Sequence, residues 1–279
     1  MTWPFSPHTT YLPNSTPKVT AASLNDMEAS HNALSFHAYL QRPQMRVSCT
    51  DGANVVGYVS PMVIKDTATA KYRYVGAGAL SITPAELETP AVSWPVSSWL
   101  YLYATCTNGV IGWKVSTTGP TIISPDGTSF SAQPLFQTGD ENKRYVCAFY
   151  SDGASMLKRF HRVDNVTTFI DEEQCVPVGV AIAFGINAWQ TASLATYVPA
   201  HAVEAELDGA LDNSAAAHRY LYITYDGDAP TAPRSVCTSA GSYNASTMSV
   251  YLNGASFRWK TDSNAPDHTV RISIRSWKD

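Results

Sequence analysis

Charge is scarce in this chain of 279 residues: Asp, Glu, Lys and Arg make up 15% of it, against roughly 25% in soluble proteins at large. The formal net charge of −4 offers a phosphate backbone no electrostatic attraction, so nucleic acid is not an expected partner. No run approaches the roughly 20 apolar residues of a membrane span, and no membrane insertion is expected. The opening Met1-Thr2-Trp3-Pro4-Phe5-Ser6-Pro7 lacks the basic and apolar regions of a secretion signal, which points to synthesis in a cytoplasm. Without secretion, the sequons at Asn14, Asn165 and Asn244 carry no meaning. The five cysteines (Cys49, Cys106, Cys147, Cys175, Cys237) form no Cys-x-x-Cys pair. They support neither a zinc site nor a disulfide framework and read as small buried apolar residues. The seven histidines stand singly, with no Asp or Cys at ligand spacing. Gly-x-Ser-x-Gly and phosphate-cradling loops are absent too, so no cofactor, no metal and no enzymatic activity is expected.

What the chain has instead is aromatic residues, 11% of the total, and turn chemistry. Two apolar runs, 98–106 and 110–116, meet at Asn108-Gly109, a pair suited to the left-handed conformations of a type I′ hairpin turn. On the first strand Trp99, Tyr101 and Tyr103 share one face while Leu100, Leu102 and Ala104 share the other. A half-solvated strand would alternate with charge, so this one should be covered on both sides. Trp113 and Val115 continue an inward face, and Gly119-Pro120 closes the unit.

In chain order, residues 1–19 hold Pro4, Pro7, Pro13 and Pro17 and read as an extended docking arm with little packing of its own. Residues 20–43 read as a helix capped by Thr20 and stopped before Pro43. Leu24, Met27, His31, Leu34 and Ala38 form a short 3-4-3-4 seam, either an oligomerisation stripe or the buried face of a helix lying on its own β body. From Met45 onward the chain reads as all-β, a sandwich or barrel-like body. Strands are expected at 45–49, 54–64, 70–75, 98–106, 110–116, 144–150, 155–163, 176–186, 202–207, 219–225, 248–252, 255–260 and 268–277. The prolines at 84, 90 and 95 make 80–96 a loop with at most one helical turn. Arg144-Tyr145 leading to Tyr150 and Asp152-Gly153 is echoed by Arg219-Tyr220 leading to Tyr225 and Asp226-Gly227. The echo marks either two β modules, 44–190 and 191–279, or two hairpins built by the same rules.

Glu204 and Glu206, two apart on one strand face, are the best carboxylate pair for glycoside chemistry, and equally the polar side of a half-solvated strand. Asp171-Glu172-Glu173 reads as a solvated loop. Arg258, Lys260, Arg271 and Arg275 alternate with apolar residues and read as a basic, solvated edge. Trp189, Tyr197, Tyr243 and Trp277 lie in or near expected loops and are candidates for stacking on sugar rings.

Two stretches resemble bacteriophage fibre and appendage proteins. One is Tyr11 to Glu28, a proline-containing arm followed by a small-residue helix start and the Leu24-Asn25 pair. The other runs from Trp99-Leu100-Tyr101-Leu102-Tyr103 through Ser116 to Pro120, Thr138-Gly139-Asp140, Arg144 to Phe149, Asp152-Gly153 and Phe160 to Val198-Pro199-Ala200-His201-Ala202. The chain departs from the usual pattern in having Gly119 where Ala is more familiar and Cys147-Ala148 in place of Leu-Gly. The resemblance implies a structural virion protein of a tail, baseplate or head fibre, assembled in the host bacterial cytoplasm. It further implies a homotrimer, with residues 1–19 attached to other virion proteins and a β-rich part projecting outward, within reach of host surface glycan. A fibre-borne glycan depolymerase and a carbohydrate-binding module are the alternatives.

Overall fold

The computed structural model describes residues 44–76, 78–123, 133–176, 188–214, 218–225, 234–239, 242–252, 254–263 and 268–279. The arm 1–19, the helix 20–43 and its seam from Leu24 to Ala38 lie outside these residues. Among the described residues the chain is β throughout, interrupted by one 3₁₀ turn at Pro84–Glu86.

The first half contributes β1 (Met45–Cys49), β2 (Val55–Val59), β3 (Met62–Lys65), β4 (Tyr72–Val75) and β5 (Gly78–Ile82). These are followed by β6 (Ser98–Thr107), β7 (Val110–Ser116), β8 (Pro120–Ile123), β9 (Gln133–Gln137) and β10 (Asp140–Ser151). Then come β11 (Phe160–Val163), β12 (Val166–Val176), β13 (Gln190–Ser193), β14 (Glu204–Asn213) and β15 (Arg219–Tyr225). The last are β16 (Arg234–Thr238), β17 (Ser242–Tyr251), β18 (Ser256–Thr261) and β19 (His268–Lys278). They build an eight-stranded sheet in the order β17-β14-β19-β12-β11-β1-β2-β5, a five-stranded sheet β7-β6-β10-β9-β8, a four-stranded sheet β13-β18-β15-β16, and the β3-β4 hairpin.

The hairpin β6–β7 forms as its sequence requires. Asn108 and Gly109 take φ of 53° and 80°, and Thr107 pairs with Val110 across the two-residue turn. Both faces of β6 are covered. Leu100, Leu102, Ala104 and Cys106 join one apolar core with Met45, Val47, Val55, Val59 and Phe149. Tyr101 and Tyr103 join a second core with Tyr145, Leu207, Leu211, Ile223, Phe257 and Ile272. A bulge in β10 between Tyr145 and Cys147 keeps the two strands in phase. Tyr145 stays opposite Tyr103 on one side and Cys147 stays opposite Leu102 on the other. Cys49, Cys106 and Cys147 are buried and free.

The eight-stranded sheet joins the two stretches 44–190 and 191–279, because β12 pairs with β19. Several sequence expectations are corrected. The strand 54–64 is broken at Ser60-Pro61 into β2 and β3, since Pro61 has no N–H to donate. Of 155–163 only Phe160–Val163 is strand; the stretch before it turns on Asp152, whose carboxylate accepts from Ala154 and Met156 N–H. Asp171-Glu172-Glu173 lies within β12, not in a loop, where Asp171 pairs with Arg159 and Glu173 with Lys158. The basic residues near the C-terminus are not on edges: β18 lies between β13 and β15, and β19 between β14 and β12.

One carboxylate fastens the hairpin turn to the body. Asp66, fully buried, accepts from the N–H groups of Ala68 (2.8 Å) and Thr69 (3.3 Å) in its own turn. It also accepts from Asn108 (3.3 Å) and Gly109 (2.9 Å), while Arg73 Nε lies 2.8 Å away. Burial alone would raise its pKa, but the amides of Ala68, Gly109 and Asn108, then Arg73, hold it below the usual carboxylate range. Its stabilisation is therefore full above about pH 3.9, the unfolded value, and is lost as pH falls through the depressed folded value. Asp66→Asn is expected to lower Tm at neutral pH, with wild type and variant converging at strongly acid pH. Melting curves followed by circular dichroism test this, and parallel pH profiles for the two proteins would refute it.

Candidate functional site

A compact group of titratable side chains lies against the second core. β10 supplies Tyr145, β11 supplies Arg162, the turn after Val198 supplies His201, and Asp279 follows β19. The Tyr145 hydroxyl donates to Asp279 Oδ2 at 2.6 Å, and Arg162 Nη2 donates to Oδ1 at 2.8 Å. His201 Nε2 lies 3.1 Å from the Tyr145 oxygen and 3.3 Å from Oδ2. With the phenol proton directed at Asp279, an Nε2–H of His201 satisfies both acceptors. Arg162 Nη1 also donates to Thr167 Oγ1 at 3.0 Å, and its guanidinium carbon sits 5.5 Å from the centre of the Trp277 ring. Asp279 is fixed through its backbone as well, its N–H donating to Asn165 O at 3.2 Å.

Burial, and next the Asp279 carboxylate, push the Tyr145 hydroxyl far above its ordinary pKa, so it remains a donor. For Arg162, burial acts to lower the pKa, but Asp279 and Tyr145 outweigh it and the guanidinium stays charged. The Arg162 and Asp279 side chains are 1% and 0% exposed. Such a group can neutralise charge and fix geometry in the interior; it presents no atom to a substrate in solution. The Trp99 indole closes one flank, donating to Ala195 O at 2.6 Å and meeting Trp277 edge to face. No sequence signal announces this group, because its members come from four separated segments.

The carboxylates singled out by spacing lie elsewhere. Glu204 and Glu206 share the outward face of β14, with Ala205 buried between them. Lys278 Nζ lies 3.6 Å from Glu204, and Ser276 Oγ donates to Glu206 at 3.0 Å. Glu204 belongs to a row of outward side chains in register across seven strands: Tyr251, Glu204, Lys278, Val166, Val163, Arg46 and Tyr58. Strands about 4.8 Å apart make this row a belt across the sheet.

Of the four stacking candidates, Trp277 is a correction: it lies in strand β19, within the expected strand 268–277, but is 1% exposed in the core and offers no ring to a sugar. Trp189 carries Lys260 over its ring at 5.0 Å, and Tyr197 carries Lys158 at 4.4 Å. Tyr243, on the outermost strand β17, is 63% exposed. The structure brings no two of the four together at one exposed surface. His161 and His218 are exposed, whereas His201 and His268 are buried. Among the described residues no three His, Cys, Asp or Glu converge as metal ligands, and no helix is long and apolar enough to cross a membrane.

No family model matches the chain, and no curated protein matches it significantly. Among solved structures, the exo-β-1,3-galactanase of Phanerochaete chrysosporium aligns with a TM-score of 0.22 and 10% identity, over 83% of this chain and 68% of that one. A Cry1Da tryptic core variant of Bacillus thuringiensis aligns with a TM-score of 0.23 and 7% identity, over 88% of this chain and 54% of that one. At such scores neither alignment bears on fold or activity.

The buried group generates a stability prediction. Asp279→Ala leaves Arg162 charged and unpaired in the interior and should cost about 3–5 kcal/mol. Tyr145→Phe removes one donor to a carboxylate that keeps its arginine and should cost about 1–3 kcal/mol. Adding Arg162→Met to Asp279→Ala should restore part of the loss, because the stranded charge is gone. Urea unfolding of the four proteins measures all three values; equal, small losses for both single variants would contradict the assignment.

Proposed function

We propose that this protein is a structural component of a bacteriophage virion, in a tail, baseplate or head-fibre appendage. Residues 1–19 attach it to the particle and the β body projects outward. One observation supports the reading most. The segments that resemble phage appendage proteins, spread from Trp99 to Ala202, meet in space: Tyr101, Tyr103, Tyr145, Ala148, Val198 and Ala202 share one core, and His201 bonds to Tyr145. The resemblance thus covers residues that build the body and not an exposed catalytic group. A depolymerase drawing on Glu204 and Glu206 finds less support, since Lys278 and Ser276 already engage both. Low charge and abundant aromatics suit a protein that hides surface in an assembly, and a homotrimer is the oligomer the reading carries.

Gradient-purified virions should contain the chain at a fixed copy number, measured by quantitative mass spectrometry. Deleting residues 1–19 should leave the circular dichroism of the β body unchanged and abolish incorporation; normal incorporation would place the anchor elsewhere. Sedimentation equilibrium should give a trimer mass, and Leu34→Asp should loosen the N-terminal bundle while the β bodies stay associated. A monomer mass at micromolar concentration would rule the trimer out. Release of reducing ends from host polysaccharide, abolished by Glu204→Gln, would favour the depolymerase instead.

A further inference from the structure

The outward belt of the eight-stranded sheet ends, near β2, in an open cavity of about 350 Å³ bordered by Gln44, Arg46, Tyr58, Ser60, Val163 and Asp164. Its size falls at the lower end of small-molecule sites. Tyr58, 53% exposed, and Val163, 51% exposed, give its lining an aromatic and an apolar residue. The polar residues of the lining have planar side chains and charges of both signs: Arg46, Asp164 and Gln44.

The walls are held in place before any ligand arrives. Asp164 sits in the left-handed region at φ 52°, a conformation Asp tolerates better than most residues. It grips Met45 twice, its N–H donating to Met45 O at 2.9 Å and its Oδ1 accepting from Met45 N–H at 3.1 Å. Gln44 N–H donates to Ser60 Oγ at 2.9 Å, and Ser60 N–H donates back to Gln44 O at 2.8 Å. These bonds fix the backbone of Gln44, Met45, Ser60 and Asp164, which reduces the ordering cost of binding.

We infer that this cavity binds a neutral saccharide unit of a glycan, stacked on Tyr58 and hydrogen-bonded by Arg46, Asp164 and Gln44. An anion would meet Asp164 and a cation would meet Arg46, so a lining that holds both charges favours neither. Neighbouring hydroxyl groups, each donor and acceptor, match a guanidinium that only donates, a carboxylate that only accepts and an amide that does both. The apolar C–H face of a sugar ring matches Tyr58 and Val163. A longer glycan leaves the cavity along the belt toward Val166 and Tyr251. This holds whether or not the chain is built into a particle, so its failure and that of the virion reading can be told apart.

The test uses the full-length purified protein on an array of neutral oligosaccharides of gluco, galacto, manno and rhamno configuration, with uronic acid, sialylated and sulfated glycans printed beside them. Binding to at least one neutral glycan is expected, and it should persist in molar salt. Tyr58→Ala should weaken it about tenfold or more, and Tyr58→Phe should retain it. Tyr74→Ala, an exposed tyrosine on the β3–β4 hairpin, should leave it unchanged, and circular dichroism should show all three variants folded. No binding to any neutral glycan, binding confined to acidic glycans, or binding indifferent to Tyr58→Ala would each overturn the inference.

Discussion

The pairing of β6 with β10 is the constraint on which the rest of the body depends. Leu100 to Ala104 on one strand and Tyr145 to Tyr150 on the other are all buried, so this pair has no solvent face and is the wall between two cores. Each large apolar side chain buried there contributes about 1.5–3 kcal/mol, and its neighbours on both sides are packed to crystal-like density. The bulge in β10 is what lets both faces remain in phase. Without the extra residue, the tyrosines and leucines beyond it would exchange sides.

Two buried carboxylates tie outlying segments to that wall. Asp66 collects amides from its own turn and from the β6–β7 turn, with Arg73 beside it. Asp279 collects Tyr145 from β10 and Arg162 from β11. A buried ion pair of this kind need not add net stability over an apolar pair of the same shape, because desolvation offsets much of the attraction. Its effect here is positional. Only one arrangement of β10, β11 and the chain after β19 brings all donors to one carboxylate, and any slip leaves a charge unpaired in the interior.

The same division between inside and outside separates architecture from recognition. Buried side chains of the eight-stranded sheet are largely apolar, with Arg162 paired to Asp279, whereas the outward row mixes tyrosine, charge and valine across strands. Such a mixed face is too polar for a dry interface core, yet its tyrosines give flat apolar surface to a ligand that also offers hydroxyl groups.

Local patterns were enough to read part of this protein. Residues 45–49, 110–116 and 219–225 were legible as strands because their signal is a two-residue period bounded by turn residues, which needs no knowledge of the distant chain. The double coverage of β6 was legible for the same reason: both of its faces lack charge. β12 was hidden because Asp171 and Glu173 look solvated in sequence, while in space Arg159 and Lys158 neutralise them. Trp277 looked accessible near the chain's end and proved to be core, since burial depends on what packs above a residue and not on its neighbours in sequence. Tyr58 was read only as part of a strand, and the cavity beside it depends on Asp164, more than a hundred residues away. The β character, the hairpin and the aromatic core strand follow from the local order of residues. Which carboxylates are buried together and which tyrosine lines a cavity rest on contacts between distant segments, which no local period records.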